Sequence, residues 1–197
     1  MNKIAITLDI DWAPEEIIKY VVKLLDTAKV KATFFATHDS VFLKSLDKKK
    51  YEVGIHPNYT NNNDWSKITS DLKKLYPDAI GARSHGLTQS SAIHGFFIDS
   101  GIKYDANTYM PLKKGLSPCC RPRGDNKQMI CIPYYWGDDS LFLNTSIFDL
   151  SKLRLNTKGL KIFSFHPMHI FMNTKSNDHY LSYKQFYQQP DALEQYK

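Results

Sequence analysis

The sequence predicts an α/β fold with a mostly parallel sheet and helices packed outside it. Strand-like and helix-like segments alternate at least five times along the 197 residues. The strand segments are short, apolar and rich in β-branched residues, and polar residues collect where they end.

Each element has its own signal. Lys3–Leu8 is an apolar, β-branched run that stops at acids, as a buried strand does. Pro14-Glu15-Glu16 opens a helix, because proline suits the first turn and the glutamates complement the positive end of the dipole. Ile17, Ile18, Val21, Val22, Leu24 and Leu25 give that helix an inward face. Lys31–Thr37 is a second strand, Val41–Leu46 a short helix and Tyr51–Ile55 a third strand. Pro57–Asp64 is polar and Asn-rich, hence a loop, and a helix follows over Trp65–Leu75. A strand near Ala79–Ala82 precedes a helix over Ser90–Ser100, which Gly101 stops, and Ile102–Tyr104 is the next strand. Residues 107–128 carry three prolines and two glycines and read as a long irregular connection, better taken as an active-site loop than as a boundary. Met129–Trp136 and Leu160–Phe165 are the last two strands.

Composition narrows the class. A chain of 197 residues suits one domain, 1–197, and 42% hydrophobic with 23% charged residues is ordinary for a soluble globular protein. The formal net charge is +6, but the lysines are spread, and Lys48-Lys49-Lys50 reads as a solvated turn. No basic face interleaved with aromatics marks a nucleic-acid module. No apolar run approaches the roughly 20 residues of a membrane span. The N-terminus is too short and too quickly acidic for a signal peptide, so a cytoplasmic location is expected. Cys119, Cys120 and Cys131 are odd in number and lack zinc-knuckle spacing, which argues against a disulfide framework.

Asp9 and Asp11 end the first strand, His56 the third, and Arg83 and His85 follow the fourth; Asp105, Trp136, Asp138 and His166 end later ones. In an α/β barrel that rim carries the catalytic groups. Residues two apart on an extended strand point the same way, so Asp9 and Asp11 face one site. Their charges repel unless a cation intervenes, and a divalent metal resolves this by taking one carboxylate and leaving the other as a base. The plainer alternative is that Asp11 caps the following helix while Asp9 is merely exposed. His56 ends a buried strand level with the aspartates, which favours a ligand over a structural histidine. Asn58 offers an amide that orients the site or touches substrate. Trp136, beside Gly137-Asp138-Asp139, is read as an aromatic surface for a sugar ring, with a place in the core as the alternative.

Thr7-Leu8-Asp9-Ile10-Asp11-Trp12 resembles the first motif of the polysaccharide-deacetylase (NodB-homology, carbohydrate esterase 4-like) superfamily, Glu52-Val53-Gly54-Ile55-His56 its second, and Phe163-Ser164-Phe165-His166-Pro167 its last. His56-Pro57-Asn58, Arg83-Ser84-His85, Tyr104-Asp105 and residues 166–174 are similar to the WbmS-like branch, which is associated with bacterial surface-polysaccharide gene clusters. The resemblance spans residues 4 to about 174. It implies a distorted, incomplete (β/α)7 barrel and roles for particular residues. Asp9 matches the catalytic base, Asp11 and His56 the metal ligands, His166 the acid, and Arg83 the arginine that holds the base.

Two departures stand out. The family's second metal histidine falls on Thr60 here, and the third motif lacks its proline, reading Arg83-Ser84-His85-Gly86. His85 is the candidate replacement ligand, with a role behind the ligands or against substrate as its alternative. His169, carried past Pro167, is assigned to support or substrate contact, with an exchange of roles with His166 left open. Asp105 joins the substrate candidates by its place after a strand. The expected protein is a hydrolase of non-peptide carbon–nitrogen bonds. It uses a divalent metal, zinc foremost, to deacetylate an N-acetylated sugar in surface-polysaccharide (lipopolysaccharide) biosynthesis. Hydrolysis of another C–N bond, sugar O-ester hydrolysis and non-catalytic carbohydrate binding are the alternatives.

Overall fold

The structure, a computed structural model, describes residues 2–60, 64–139 and 150–197. Residues 61–63 of the expected loop lie outside the described residues. The strands are β1 (Asn2–Asp9), β2 (Ala32–Ala36), β3 (Tyr51–Ile55), β4 (Gly81–Ala82), β5 (Tyr104–Asp105), β6 (Cys119–Pro122), β7 (Gln128–Cys131), β8 (Trp136–Gly137) and β9 (Gly159–Phe165). They form one sheet in the order β6-β7-β5-β4-β3-β2-β1-β9-β8. All neighbouring pairs are parallel except β6 with β7.

That order demands curvature. Laid flat, the eight strands from β7 to β8 would span about 34 Å at roughly 4.8 Å per strand. The chain passes from Cys131 to Trp136 in five residue steps, which reach at most about 18 Å. The sheet therefore curls until its two ends approach, and an isolated bridge between Tyr109 and Tyr134 lies in the gap. This is the distorted, incomplete barrel, with nine short strands among the described residues.

The helices are α1 (Glu15–Thr27), α2 (Val41–Ser45), α3 (Trp65–Leu75), α4 (Ser91–Asp99), α5 (Pro167–Met172), α6 (Asn177–Tyr183) and α7 (Pro190–Leu193). Their starts follow capping chemistry: the Ser40, Asp64 and Ser90 side chains accept from the backbone N–H groups of Leu43, Lys67 and Ile93. α1 buries Ile17, Ile18, Val21 and Val22, each contributing roughly 1.5–3 kcal/mol relative to exposure. The main core unites these residues with Leu8, Phe34, Ile55, Phe97 and Met168; a second cluster joins Leu116, Tyr135, Trp136, Leu153 and Phe163. Gly81 is required where β4 meets β5, because a Cβ there would lie 2.2 Å from the Tyr104 ring.

Two expectations are corrected. The segment 107–128 is not wholly irregular, since Cys119–Pro122 pairs with β7 as an antiparallel edge. The expected single strand Met129–Trp136 is two strands on opposite sides of the sheet, with Pro133 between them unable to donate to a ladder. Cys119 and Cys120 are exposed and Cys131 is buried, all three as free thiols. Among the described residues no helix is long and apolar enough to cross a membrane.

Candidate active site

β1 ends at Asp9, and the chain then turns rather than extending: Asp11 and Trp12 have φ of 40° and 58°, and the Ala13 N–H donates to the Ile10 carbonyl at 2.7 Å. Two successive non-glycine residues in the left-handed region are strained. Asp9 and Asp11 do share one cavity, but a turn brings Asp11 there instead of strand alternation. Asp11 does not cap α1, whose first turn follows Pro14 without a side-chain cap.

Asp9 is buried. Its Oδ1 accepts from Arg83 Nη1 at 2.9 Å and its Oδ2 from Ser164 Oγ at 3.3 Å. Arg83 is 0% exposed. Its Nη1 also reaches Ser164 Oγ at 2.7 Å and Thr7 Oγ1 at 3.0 Å, and its Nε donates to the Ala106 carbonyl at 3.0 Å. The guanidinium carbon lies 4.7 and 4.8 Å from the ring centroids of Phe35 and Tyr134. Such packing and bonding hold the cation, and through it Asp9, in one place.

His56 extends β3 by one residue, its N–H donating to the Ala36 carbonyl at 2.7 Å. His85 sits in a 3-10 turn after β4, its N–H donating to the Pro57 carbonyl at 2.9 Å. Both point at one carboxylate oxygen: His56 Nε2 and His85 Nδ1 each lie 3.2 Å from Asp11 Oδ1. The three donors fall within 4.8 Å of one another. Two ligands about 2.0–2.1 Å from a tetrahedral zinc stand about 3.4 Å apart, so this set fits a divalent ion. Among the described residues the buried His56 Nδ1 has no hydrogen-bond partner, and the Asp9 carboxylate is 3.9 Å away. Thr60 is exposed and its N–H donates to Asn58 Oδ1 at 2.9 Å, so the fourth residue after His56 turns away while His85 faces Asp11.

Across the cavity, the Asp138 carboxylate grips His166 twice: Oδ2 accepts the His166 backbone N–H and Oδ1 faces ring Nδ1, both at 2.7 Å. Nδ1 thus carries its proton towards Asp138, and Nε2 faces Asp11 Oδ2 at 3.6 Å. Burial alone would lower the His166 pKa; the charge and hydrogen bond of Asp138, with Asp11 and Asp9 behind it, raise it to about 10. His169 shows the reverse. Its ring stands 5.4 Å from that of His166, and Nδ1 meets the neutral hydroxyls of Thr174 and Tyr183, each at 3.2 Å. Burial pushes it down to about 4. For Asp11, burial would raise the carboxyl, but hydrogen bonds from His56 and His85 and the charge of His166 hold it far below the usual range. His85 is raised by its hydrogen bond to Asp11, against burial.

The cavity is about 330 Å3, and Asp9, Asp11, His56, His85, His166 and His169 all line it. Three expected substrate residues do not. Asp105 is 0% exposed and faces α4, where Oδ2 lies 3.4 Å from His94 Nε2 and accepts from Cys131 Sγ at 3.2 Å. Trp136, 6% exposed, packs on Phe163 and Phe165. Asn58 is spent on the turn at Thr60. The sequence reading gave no role to Asp138, although its place after a strand was visible, nor to Asn177, Tyr180 and Tyr187, which form a wall of the cavity. Those three carry no spacing signal that separates them from core residues.

An open, curled, parallel sheet with its polar rim at the strand ends is the architecture of the NodB-type polysaccharide deacetylases. Within that class the chain belongs to the family of WbmS-like polysaccharide deacetylases, matched over residues 6–184. It is similar to a protein of Bordetella bronchiseptica described as a polysaccharide deacetylase involved in O-antigen biosynthesis: 30% identity, TM-score 0.89, covering 99% of this chain and 84% of that one. A polysaccharide deacetylase of Mycobacterium smegmatis shares the fold at 16% identity and a TM-score of 0.62, over 84% of this chain and 76% of that one. So does a carbohydrate esterase family 4 pseudoenzyme of Bacillus anthracis, at 16% identity and a TM-score of 0.53, over 84% and 55%. No curated relative matches the sequence.

Proposed function

We propose that this chain is a metal-dependent deacetylase that hydrolyses the amide of an N-acetylated sugar during surface-polysaccharide assembly in the cytoplasm, with residues 1–197 acting as one catalytic unit. The observation that carries the reading is the pairing of Asp9, fixed by buried Arg83 and Ser164, with His166, oriented by Asp138, across the Asp11–His56–His85 donors. The O-antigen role of the Bordetella relative supports the substrate class.

Asp11, His56 and His85 would hold the metal, and an Asp–His–His set favours zinc among the divalent ions. Bound there, such an ion would supply Lewis-acid polarisation of the acyl carbonyl and would make a neighbouring water acidic near neutral pH. Asp9 takes the water's proton as the water oxygen bonds to the acyl carbon. Arg83 and Ser164 keep that carboxylate aimed while it does so. His166 donates its Nε2 proton to the amide nitrogen as the carbon–nitrogen bond breaks, so acetate and a free sugar amine leave. Without that proton the leaving group would be an amide anion.

Acetate release from amide-linked and ester-linked acetyl sugars, measured with the metal content of the purified protein, tests this. Metal-dependent release from the amide, lost in Asp9→Asn, is the expected result. A preference for the ester moves the assignment to an O-esterase. No release from a metal-loaded protein that still binds sugar leaves a non-catalytic carbohydrate binder.

A further inference from the structure

Tyr187 enters the cavity from the C-terminal segment, beyond the residues that the family match covers. It follows the 3-10 turn Lys184–Phe186, and its N–H donates to the Lys184 carbonyl at 3.2 Å. The next residue anchors it: Gln188 Nε2 donates to the Trp12 carbonyl at 2.8 Å. Trp12 belongs to the strained turn that carries Asp11, so Tyr187 is tied to the backbone of the donor carboxylate. The residue is half-buried and shares the cavity with Asp11. The neighbouring Tyr183 hydroxyl is taken by Thr174 at 2.5 Å, whereas the Tyr187 hydroxyl has no hydrogen-bond partner among the described residues. Half-buried on the cavity wall, the hydroxyl can give its hydrogen bond to a ligand bound there.

We propose that the Tyr187 hydroxyl donates a hydrogen bond to the acyl oxygen of the substrate and stabilises the negative charge that grows there as water adds to the acyl carbon. The inference rests on the deacetylase reading. As the water oxygen bonds to carbon and its proton passes to Asp9, the carbonyl π pair moves onto the acyl oxygen. A donor already in place costs no reorganisation at that moment. A phenol, with an ordinary pKa of about 10, keeps its proton through the neutral range.

Tyr187→Phe removes only the hydroxyl and leaves the ring packing and the Gln188 anchor. With an acetamido sugar, kcat should fall about 10²-fold, the scale of one lost oxyanion donor, while KM stays within about twofold and the melting temperature holds. An unchanged kcat, or a loss confined to KM, would overturn the proposal. Should the wild type release no acetate at all, the deacetylase reading fails and calorimetry with methylphosphonate, an anionic tetrahedral mimic, decides this inference separately. Binding about tenfold weaker in Tyr187→Phe then supports the hydroxyl as an oxyanion donor; equal binding, or none to the wild type, refutes it.

Discussion

The two walls of the cavity are built by different means. Asp9, His56 and Arg83 stand at or just past the ends of β1, β3 and β4, where register fixes them: Asp9 lies opposite Phe35 and Ile55 opposite Ala82. His169, Asn177, Tyr180 and Tyr187 come from α5, α6 and the turn after it. Side-chain bonds hold that wall, among them His169–Tyr183 and Gln188–Trp12. His166 is the seam, last after β9 and first before α5. A strand cannot slip without breaking a ladder, whereas a wall of short helices adjusts one side chain at a time. On the function proposed above, the strand wall suits chemistry that tolerates little misplacement, and the helical wall, apart from the Tyr187 hydroxyl, suits recognition.

The largest effect is expected on the strand wall. Asp9→Asn should cut kcat by 10²-fold or more while metal content holds, which assay and elemental analysis together would show. Retained turnover would break the comparison, because the base would then lie elsewhere. Asp11→Asn and His56→Ala should each weaken metal affinity beyond the 10- to 100-fold typical of residues behind the ligands, and His85→Ala likewise if it is a full ligand; competition with a chelator measures all three. A loss within about 10- to 100-fold in His85→Ala would place it behind the ligands, and an unchanged affinity would leave it only a contact to substrate.

At the seam the expected effect is a displacement rather than a loss. On the function proposed above, deprotonation of His166 sets the alkaline limb of kcat/KM, and Asp138 is the main group that raises that histidine to about 10. Asp138→Asn removes the raising charge, so the limb should move to lower pH by a unit or more. A pH profile that stays put would exclude His166 as the acid. Smallest of all, Asn177→Ala and Tyr180→Phe should change KM by a few fold and kcat less, as expected of an adjustable wall. Steady-state kinetics on two different acetamido sugars would show whether the changes depend on the sugar.

The same contrast explains what could be read in the sequence. Strand residues announce themselves by apolar runs that stop at polar ends, so Asp9, Asp11, His56, Arg83, His85 and His166 were all legible as rim residues. The pleat was not. Asp105 ends β5, but its side chain points to His94 on α4, and nothing in one sequence says which face a strand-end acid takes. Trp136 beside a glycine reads as a platform for a sugar ring, yet it packs in the second core cluster. β6 hid inside a stretch rich in proline and glycine. Tyr187 and Gln188 lie in a tail with no repeat of either period, and only tertiary contacts give them meaning.

The central strand has a consequence in time. β1 begins at Asn2, yet one of its two partners is β9, beginning at Gly159. During synthesis the first strand waits for nearly the whole chain with one edge unpaired, a template for misassembly until residues 159–165 emerge. Contacts of such long sequence separation put the closing step among the slow ones. Ser164 and His166 arrive with that last strand, so a ribosome holding the first hundred residues carries Asp9, Asp11 and Arg83 but not yet the serine that completes the grip on Asp9 or the histidine across from Asp11.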